Sequence, residues 1–309
     1  EITTRLVGSE MCIRDSTKIG DRMKDELPTR EEYRNSHRKK KLRLKKWVIV
    51  VFFLFFLSLL SISSIGIYFW LNDNKEIKNI QDKVIEDTNV KEKQDNENTE
   101  NINPPENKSD DYWDYIKMNL LEVDFGDLLR KNPDTVGWIQ VNGTNINYPI
   151  VQTTNNDYYL HHAFDKSSND AGWVFMDYRN NPTTFDQNTI IYAHSRYNGT
   201  MFGSLKNILE SSWYNDKNNY IIRLSTPTEN TMWQVFSVYT IEKESYYITT
   251  NFQTEAEYSE FLNTMKSRSN VNFSATVNPS DKVLTLSTCK DNFGSRVVMH
   301  AKLIKRESR

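Results

Sequence analysis

Hydrophobic and polar positions divide this chain into three unlike stretches. From Trp47 to Leu71 no residue is charged, and the run Val48-Ile49-Val50-Val51-Phe52-Phe53-Leu54-Phe55-Phe56-Leu57 is wholly apolar. Residues 72–110 are dominated by Asn, Lys, Glu and Asp, with Pro104-Pro105 near the end. From Tyr112 onward apolar residues return in short runs punctuated by turn residues. Tyr115, Met118, Leu121, Phe125, Leu128 and Leu129 recur at roughly helical spacing, which predicts one or two helices leading into a domain. After Asn132-Pro133-Asp134 the pattern predicts short strands at Val136 to Val141, Asn145 to Val151, Trp173 to Met176, Asn188 to His194, Tyr220 to Leu224, Met232 to Ile241, Lys282 to Cys289 and Arg296 to Ile304. Ser204 to Leu209 reads as a short helix. Thr254 to Arg268, with Ala256, Tyr258, Phe261, Leu262 and Met265 on one face, reads as an amphipathic helix inserted between the sixth and seventh strands. About eight strands and few long helices predict a mainly β fold, a barrel or sandwich.

The uncharged run changes the picture of where the domain works. At about 1.5 Å of rise per residue its 25 residues exceed a hydrocarbon thickness of about 30 Å. Arg38-Lys39-Lys40-Lys41-Leu42-Arg43-Leu44-Lys45-Lys46 precedes it and Asn72-Asp73-Asn74-Lys75-Glu76 follows, so the positive-inside rule places residues 1–46 in the cytoplasm and everything after residue 71 outside. Trp47, Tyr68 and Trp70 fit interfacial aromatics. A cleaved signal peptide is the rival, but the run is longer than a usual signal core and no small-x-small cleavage site follows. The expected organisation is a single-pass anchor over 47–71, a disordered polar linker over 72–110, too poor in apolar surface to offset its ordering entropy, and a folded domain over 111–309. Residues 1–16 look unlike the rest and read as an artefact, with translation beginning near Met23.

A formal net charge of −2 gives no electrostatic case for nucleic acid. The two cysteines, Cys12 and Cys289, lie on opposite sides of the apolar run and cannot pair within one chain if it spans a bilayer. No zinc-type Cys/His cluster or clustered acidic loop is present, so neither a metal nor a cofactor is expected.

Candidate chemistry gathers at strand ends. Cys289 ends the run Lys282-Val283-Leu284-Thr285-Leu286-Ser287-Thr288-Cys289, and Arg296 opens the next strand. His194 ends Thr189-Ile190-Ile191-Tyr192-Ala193-His194. Alone, the thiol reads more readily as an inert core residue and the imidazole as structural. Together they supply a nucleophile, an acid/base to raise its thiolate fraction, and a cation for a developing oxyanion. His300, inside the last strand, reads as structural, and Asp291 as a turn residue.

Thr285-Leu286-Ser287-Thr288-Cys289 resembles the T-L-x-T-C signature of sortases, the membrane-anchored cysteine transpeptidases of Gram-positive bacteria, and Ile191-Tyr192-Ala193-His194 resembles their histidine motif, with Ala193 where glycine is common. Asn132-Pro133-Asp134-Thr135-Val136-Gly137-Trp138-Ile139, Tyr148-Pro149-Ile150-Val151-Gln152, Asn156-Asp157-Tyr158-Tyr159-Leu160 and Met201-Phe202-Gly203-Ser204-Leu205 are similar, in order, to class B segments over about residues 112–304. The resemblance implies an eight-stranded closed sortase barrel with N-terminal helices. It further implies cleavage of a C-terminal sorting signal (NPxTN or S/NPxTG-like) on secreted proteins and transfer to a peptidoglycan amine. It assigns catalysis to His194, Cys289 and Arg296, and signal-pocket roles to Asn156, Leu160, Ser287 and Thr288. A pilin-polymerising sortase, a surface cysteine protease and a non-enzymatic adhesion module are the alternatives that sequence leaves open.

Overall fold

The structure is a computed structural model that describes residues 45–106, 111–242, 244–289 and 295–309. The expectations for residues 1–16, for the rest of the cytoplasmic segment before Lys45 and for Asp291 lie outside the described residues. Two compact units part between Ser61 and Ile62. In the first, the described residues begin helix α1 (Lys46–Asp87), whose side chains from Trp47 to Leu57 are almost all exposed. By length and composition α1 can cross a membrane.

The second unit contains the domain and starts earlier than the composition suggests. Along the second half of α1, Ile77 and Val84 are buried and Ile80 and Ile85 pack against the core. Strand β1 (Val90–Lys93) then pairs antiparallel with β3 (Leu120–Val123), and β2 (Thr99–Asn101) pairs with the C-terminal strand through Lys305–Glu307. The expectation of a disordered linker over 72–110 is therefore corrected for most of its length. Ile77, Ile80 and Val84 are few, but they fall on one helical face, and charged partners complete the seam. Lys93 Nζ lies 2.7 Å from Glu307, whose side chain is fully buried, and Thr99 Oγ1 donates to the same carboxylate at 3.0 Å. The expected entry helices are also interrupted. Helices α2 (Tyr112–Tyr115) and α3 (Phe125–Lys131) flank β3, because Leu120-Leu121-Glu122-Val123 finds a strand partner in β1.

The remaining strands are β4 (Thr135–Val141), β5 (Asn147–Val151), β6 (Phe175–Met176), β7 (Asn188–His194), β8 (Ile221–Ser225), β9 (Glu229–Ile241), β10 (Val283–Cys289) and β11 (Arg296–Ser308). These are the eight strands read from the sequence. They pair in the order β10-β7-β6-β5-β4-β8-β9-β11, and β10 pairs with β11 to close the barrel, with β2 following β10 along the same edge of β11. Closure leaves no barrel strand with an open edge. The turn between β4 and β5 carries Gly143 at φ +68°, where a Cβ would collide with Asn219. The core holds Trp138, Tyr148, Trp173 and Trp233, all fully buried.

A short helix α4 (Ser211–Tyr214) precedes β8, and α5 (Glu255–Ser267) lies between β9 and β10 as expected. Thr254 caps α5 by accepting from Glu257 N, and Tyr258, Phe261, Leu262 and Met265 bury its inner face against Phe236, Tyr239, Val283 and Val298. At the centre of that cluster is His300. Thr285 Oγ1 donates to Asn188 at 2.6 Å, so it accepts from His300 Nδ1 at 2.8 Å, and Tyr239 OH meets Nε2 at 2.8 Å. Burial pushes this imidazole down to about 3.

Two outcomes are expected. An unfolded histidine titrates at about 6.5, so the stabilisation from keeping His300 neutral is complete above that pH and is lost as pH falls toward 3, by up to about 1.4 kcal/mol per pH unit. Denaturant unfolding at pH 7 and pH 5 should show His300→Gln with a weaker acid dependence than the wild type, and equal dependence would contradict the neutral assignment. Lys93→Ala should strip Glu307 of its cation and destabilise the domain by about 2 kcal/mol. Limited proteolysis should then cut near residues 94–101 in the variant and spare them in the wild type; cutting there in the wild type would contradict the ordered seam.

Candidate functional site

The candidate site begins where β7 and β10 end side by side. Asn188-Thr189-Ile190-Ile191-Tyr192 and Val283-Leu284-Thr285-Leu286-Ser287 are rich in the branched and aromatic residues that suit buried strands. The two strands run parallel in unbroken register from Asn188 opposite Val283 to His194 opposite Cys289. On its other side β10 pairs antiparallel with β11 only as far as Ser287 opposite Val298. Past that point the Thr288 hydroxyl accepts from Val297 N at 3.1 Å, which holds the head of β11 while the ladder opens. Arg296 is the first residue of β11 and pairs with Ile241 of β9. The fold therefore brings His194 and Cys289 to neighbouring register positions and sets Arg296 at the opening between β10 and β11.

His194 is held by its ring. Nε2 lies 2.8 Å from the carbonyl of Leu160, and since a carbonyl only accepts, Nε2 carries the hydrogen and Nδ1 is the ring's acceptor. Burial pushes the imidazole below its ordinary value; the Leu160 bond opposes this in part, and the Arg196 charge adds to it. Burial thus favours the neutral form of the ring. Leu160 ends a 3-10 turn, Tyr158–Leu160, that is braced by His162, whose ring stacks on Tyr158 at 4.0 Å with planes 3° apart. Gly172, at φ +60°, lies under this turn. A Cβ there would stand 2.5 Å from the Tyr159 carbonyl, 2.8 Å from that of Leu160 and 3.0 Å from His194 Cδ2.

Arg296 is oriented by a hydroxyl relay. Its Nη1 donates to Tyr247 OH at 3.0 Å, and that oxygen lies 3.1 Å from Ser287 Oγ. Tyr247 belongs to the turn Tyr246–Ile248 that follows β9. Beside Arg296 opens a cavity of about 520 Å³ lined by Glu244, Ser245, Tyr246 and Ile248. Arg268 lies over the Tyr246 ring at 4.4 Å and pairs with Glu244 at 3.2 Å, fixing the far wall.

The four expected pocket residues take scaffold positions. Ser287 and Thr288 are buried, with their hydroxyls turned to Tyr247 and Val297. Asn156 donates to Asp177 at 3.0 Å and accepts from Tyr178 N at 2.9 Å. Leu160 packs its side chain against the core and offers its carbonyl to His194. Sequence reasoning missed Tyr247, Gly172 and Asp177. A lone glycine between Ala171 and Trp173 was a usable signal for the second, whereas no local pattern marks the other two. Among the described residues no group of three or more His, Cys, Asp or Glu side chains could hold a metal ion.

This geometry has counterparts in known proteins. The sortase domain family matches residues 139–304. Sortase B of Staphylococcus aureus (strain NCTC 8325 / PS 47) is 36% identical over 184 residues, covering 59% of this chain and 75% of that protein. A crystal structure of sortase B complexed with triglycine superposes with a TM-score of 0.56 at 36% identity, over 59% of this chain and 85% of that one. Sortase B from Bacillus anthracis superposes with a TM-score of 0.61 at 33% identity, over 76% of this chain and 99% of that one. With the family spanning more than half of its length and class B enzymes as relatives, the chain belongs to the sortase family and is a sortase B-type cysteine transpeptidase.

Proposed function

We propose that this sortase cleaves an NPxTN or S/NPxTG-like sorting signal after its threonine and transfers the acyl group to a peptidoglycan amine, with His194, Cys289 and Arg296 as its catalytic residues. The observation that carries the assignment is the β7–β10 register, which supports a sulfur and an imidazole acting on one peptide bond. The Cys289 thiol gives its proton to Nδ1 of the His194 ring as the sulfur attacks the threonine carbonyl, and the carbonyl electron pair moves onto oxygen beside the Arg296 guanidinium. As the intermediate collapses the C–N bond breaks and the departing amine takes a proton from His194. The incoming amine then gives a proton to the neutral ring, attacks the thioester and expels the sulfur, which takes the proton back from the ring. A low-lying imidazole pKa favours the second half, since the ring must be unprotonated to accept. The complex of a solved sortase B with triglycine supports an amine as the acceptor. Helix α1 supports a single-pass anchor, with the N-terminus cytoplasmic and the domain outside the cell.

The test is the full-length chain in detergent micelles with fluorogenic Asn-Pro-x-Thr-Asn and Ser-Pro-x-Thr-Gly peptides, with and without a short glycine peptide or diaminopimelate. An acyl adduct on Cys289, ligated product when amine is present, and no turnover by Cys289→Ala are expected; hydrolysis alone at every amine concentration would contradict transpeptidation. Arg296→Lys keeps the charge and loses the tie to Tyr247, so kcat/KM should fall by about 10²–10³. The acid limb of kcat/KM should lie below the ordinary histidine value of about 6.5, and a limb above it would contradict the depressed imidazole. Gly172→Ala should lower kcat by displacing Leu160 and the ring it holds, and wild-type kcat would contradict that coupling.

A further inference from the structure

Beneath the candidate site lies a carboxylate that neither the transfer chemistry nor the sequence motifs use. Asp177 follows β6 and its side chain is fully buried. It accepts from every group that reaches it. Oδ1 takes Arg179 N at 3.0 Å and Arg179 Nε at 2.8 Å. Oδ2 takes Arg179 Nη2 at 2.7 Å, Asn156 Nδ2 at 3.0 Å and Tyr192 OH at 3.0 Å. Burial alone would raise this carboxyl, but the bonds from Arg179 outweigh it and hold it below the usual carboxylate range.

The donors come from three chain segments, each tied to a different part of the site. Asn156 opens the turn that closes with Leu160, whose carbonyl holds His194. Tyr192 lies two residues before His194 on β7. Arg179 Nη2 also donates to the carbonyl of Ile248 at 2.9 Å, next to Tyr247, which accepts from Arg296. One buried anion therefore ties the histidine's support, the histidine's strand and the turn that orients the arginine.

We infer that Asp177 is a positioning residue of this transpeptidase, acting through Asn156 on the 156–160 turn and through Arg179 on the 246–248 turn. The inference rests on the proposed roles of His194 and Arg296. Asp177→Asn is its sharpest probe, because the amide keeps the size but puts a donor against donors. Either Arg179 or the Asn156 and Tyr192 pair must lose its acceptor. Asn156→Ala removes one arm only.

Full-length wild type, Asp177→Asn, Asn156→Ala and the double variant should be compared in detergent micelles by steady-state kinetics with the sorting peptide and by amide hydrogen exchange. Asp177→Asn should raise KM about ten-fold or more with a smaller fall in kcat, and the double variant should be no worse than Asp177→Asn, as expected for groups in one network. Amide exchange should speed up by about ten-fold or more over 156–160 and 246–248 while α5 stays protected. Wild-type KM in the folded fraction, additive effects in the double variant, or exchange altered equally everywhere would each overturn the inference. The exchange readout needs no turnover, so a wild type that fails to acylate would sink the proposed reaction and still leave the positioning role decided.

Discussion

Everything at this site depends on one parallel pairing, β7 against β10. Antiparallel neighbours can be joined by a tight turn, but parallel neighbours need a long crossover, and here most of the second half of the domain is spent on it. Between His194 and Val283 the chain builds β8, β9 and α5 before returning to lie beside its own earlier strand. The register is protected by what it buries. Ile190 and Ile191 lie opposite Thr285 and Leu286 and fill both buried faces of the pair, and a slip of one residue would part the Thr285 hydroxyl from the Asn188 side chain to which it donates, leaving buried polar groups without that partner. Core packing thereby sets the lateral position of His194 relative to Cys289, and no contact between those two residues has to do so.

The site's polar groups are organised around that pairing as supports. A carbonyl fixes the tautomer of His194, a tyrosine hydroxyl aims Arg296, and Thr288 spans the gap where β11 leaves the ladder. Each support comes from a different segment. A constellation held in this way keeps its geometry without the side chains having to bind one another, which suits the proposed mechanism, in which the ring takes up a proton, gives it away and takes up another. The cavity beside Arg296 is walled by groups already committed to each other, Glu244 to Arg268 and Arg268 to Tyr246.

Much of this was legible before any coordinates. The eight barrel strands announce themselves by short runs of branched and aromatic residues set off by turn residues, and β7 is delimited to the residue because Asn188 and His194 bracket a run of β-formers. The helix before β10 shows its apolar face at the expected spacing. The linker was misread for a physical reason. Order over 72–101 rests on three aliphatic residues of one helical face and on Lys93, Thr99 and Glu307, and the last of these lies more than 200 residues away along the chain. Composition averages such pairs out. Asp177 and Tyr247 escaped for the same reason, since their meaning lies in partners brought by the fold. For Asn156, Ser287 and Thr288 the motifs give the position along the chain but not the partner each side chain faces, which the fold supplies.

The most direct test of the central pairing is covalent. In a full-length Cys12→Ser background, His194→Cys should form an intramolecular disulfide with Cys289 under mild oxidation, since adjacent strand positions stand within the Cα separation of about 4.4–6.8 Å that a disulfide spans. Mass analysis of the digest should find the peptides containing positions 194 and 289 joined. A bridge from Ala193→Cys in place of His194→Cys, or from neither, would contradict the register on which the account is built.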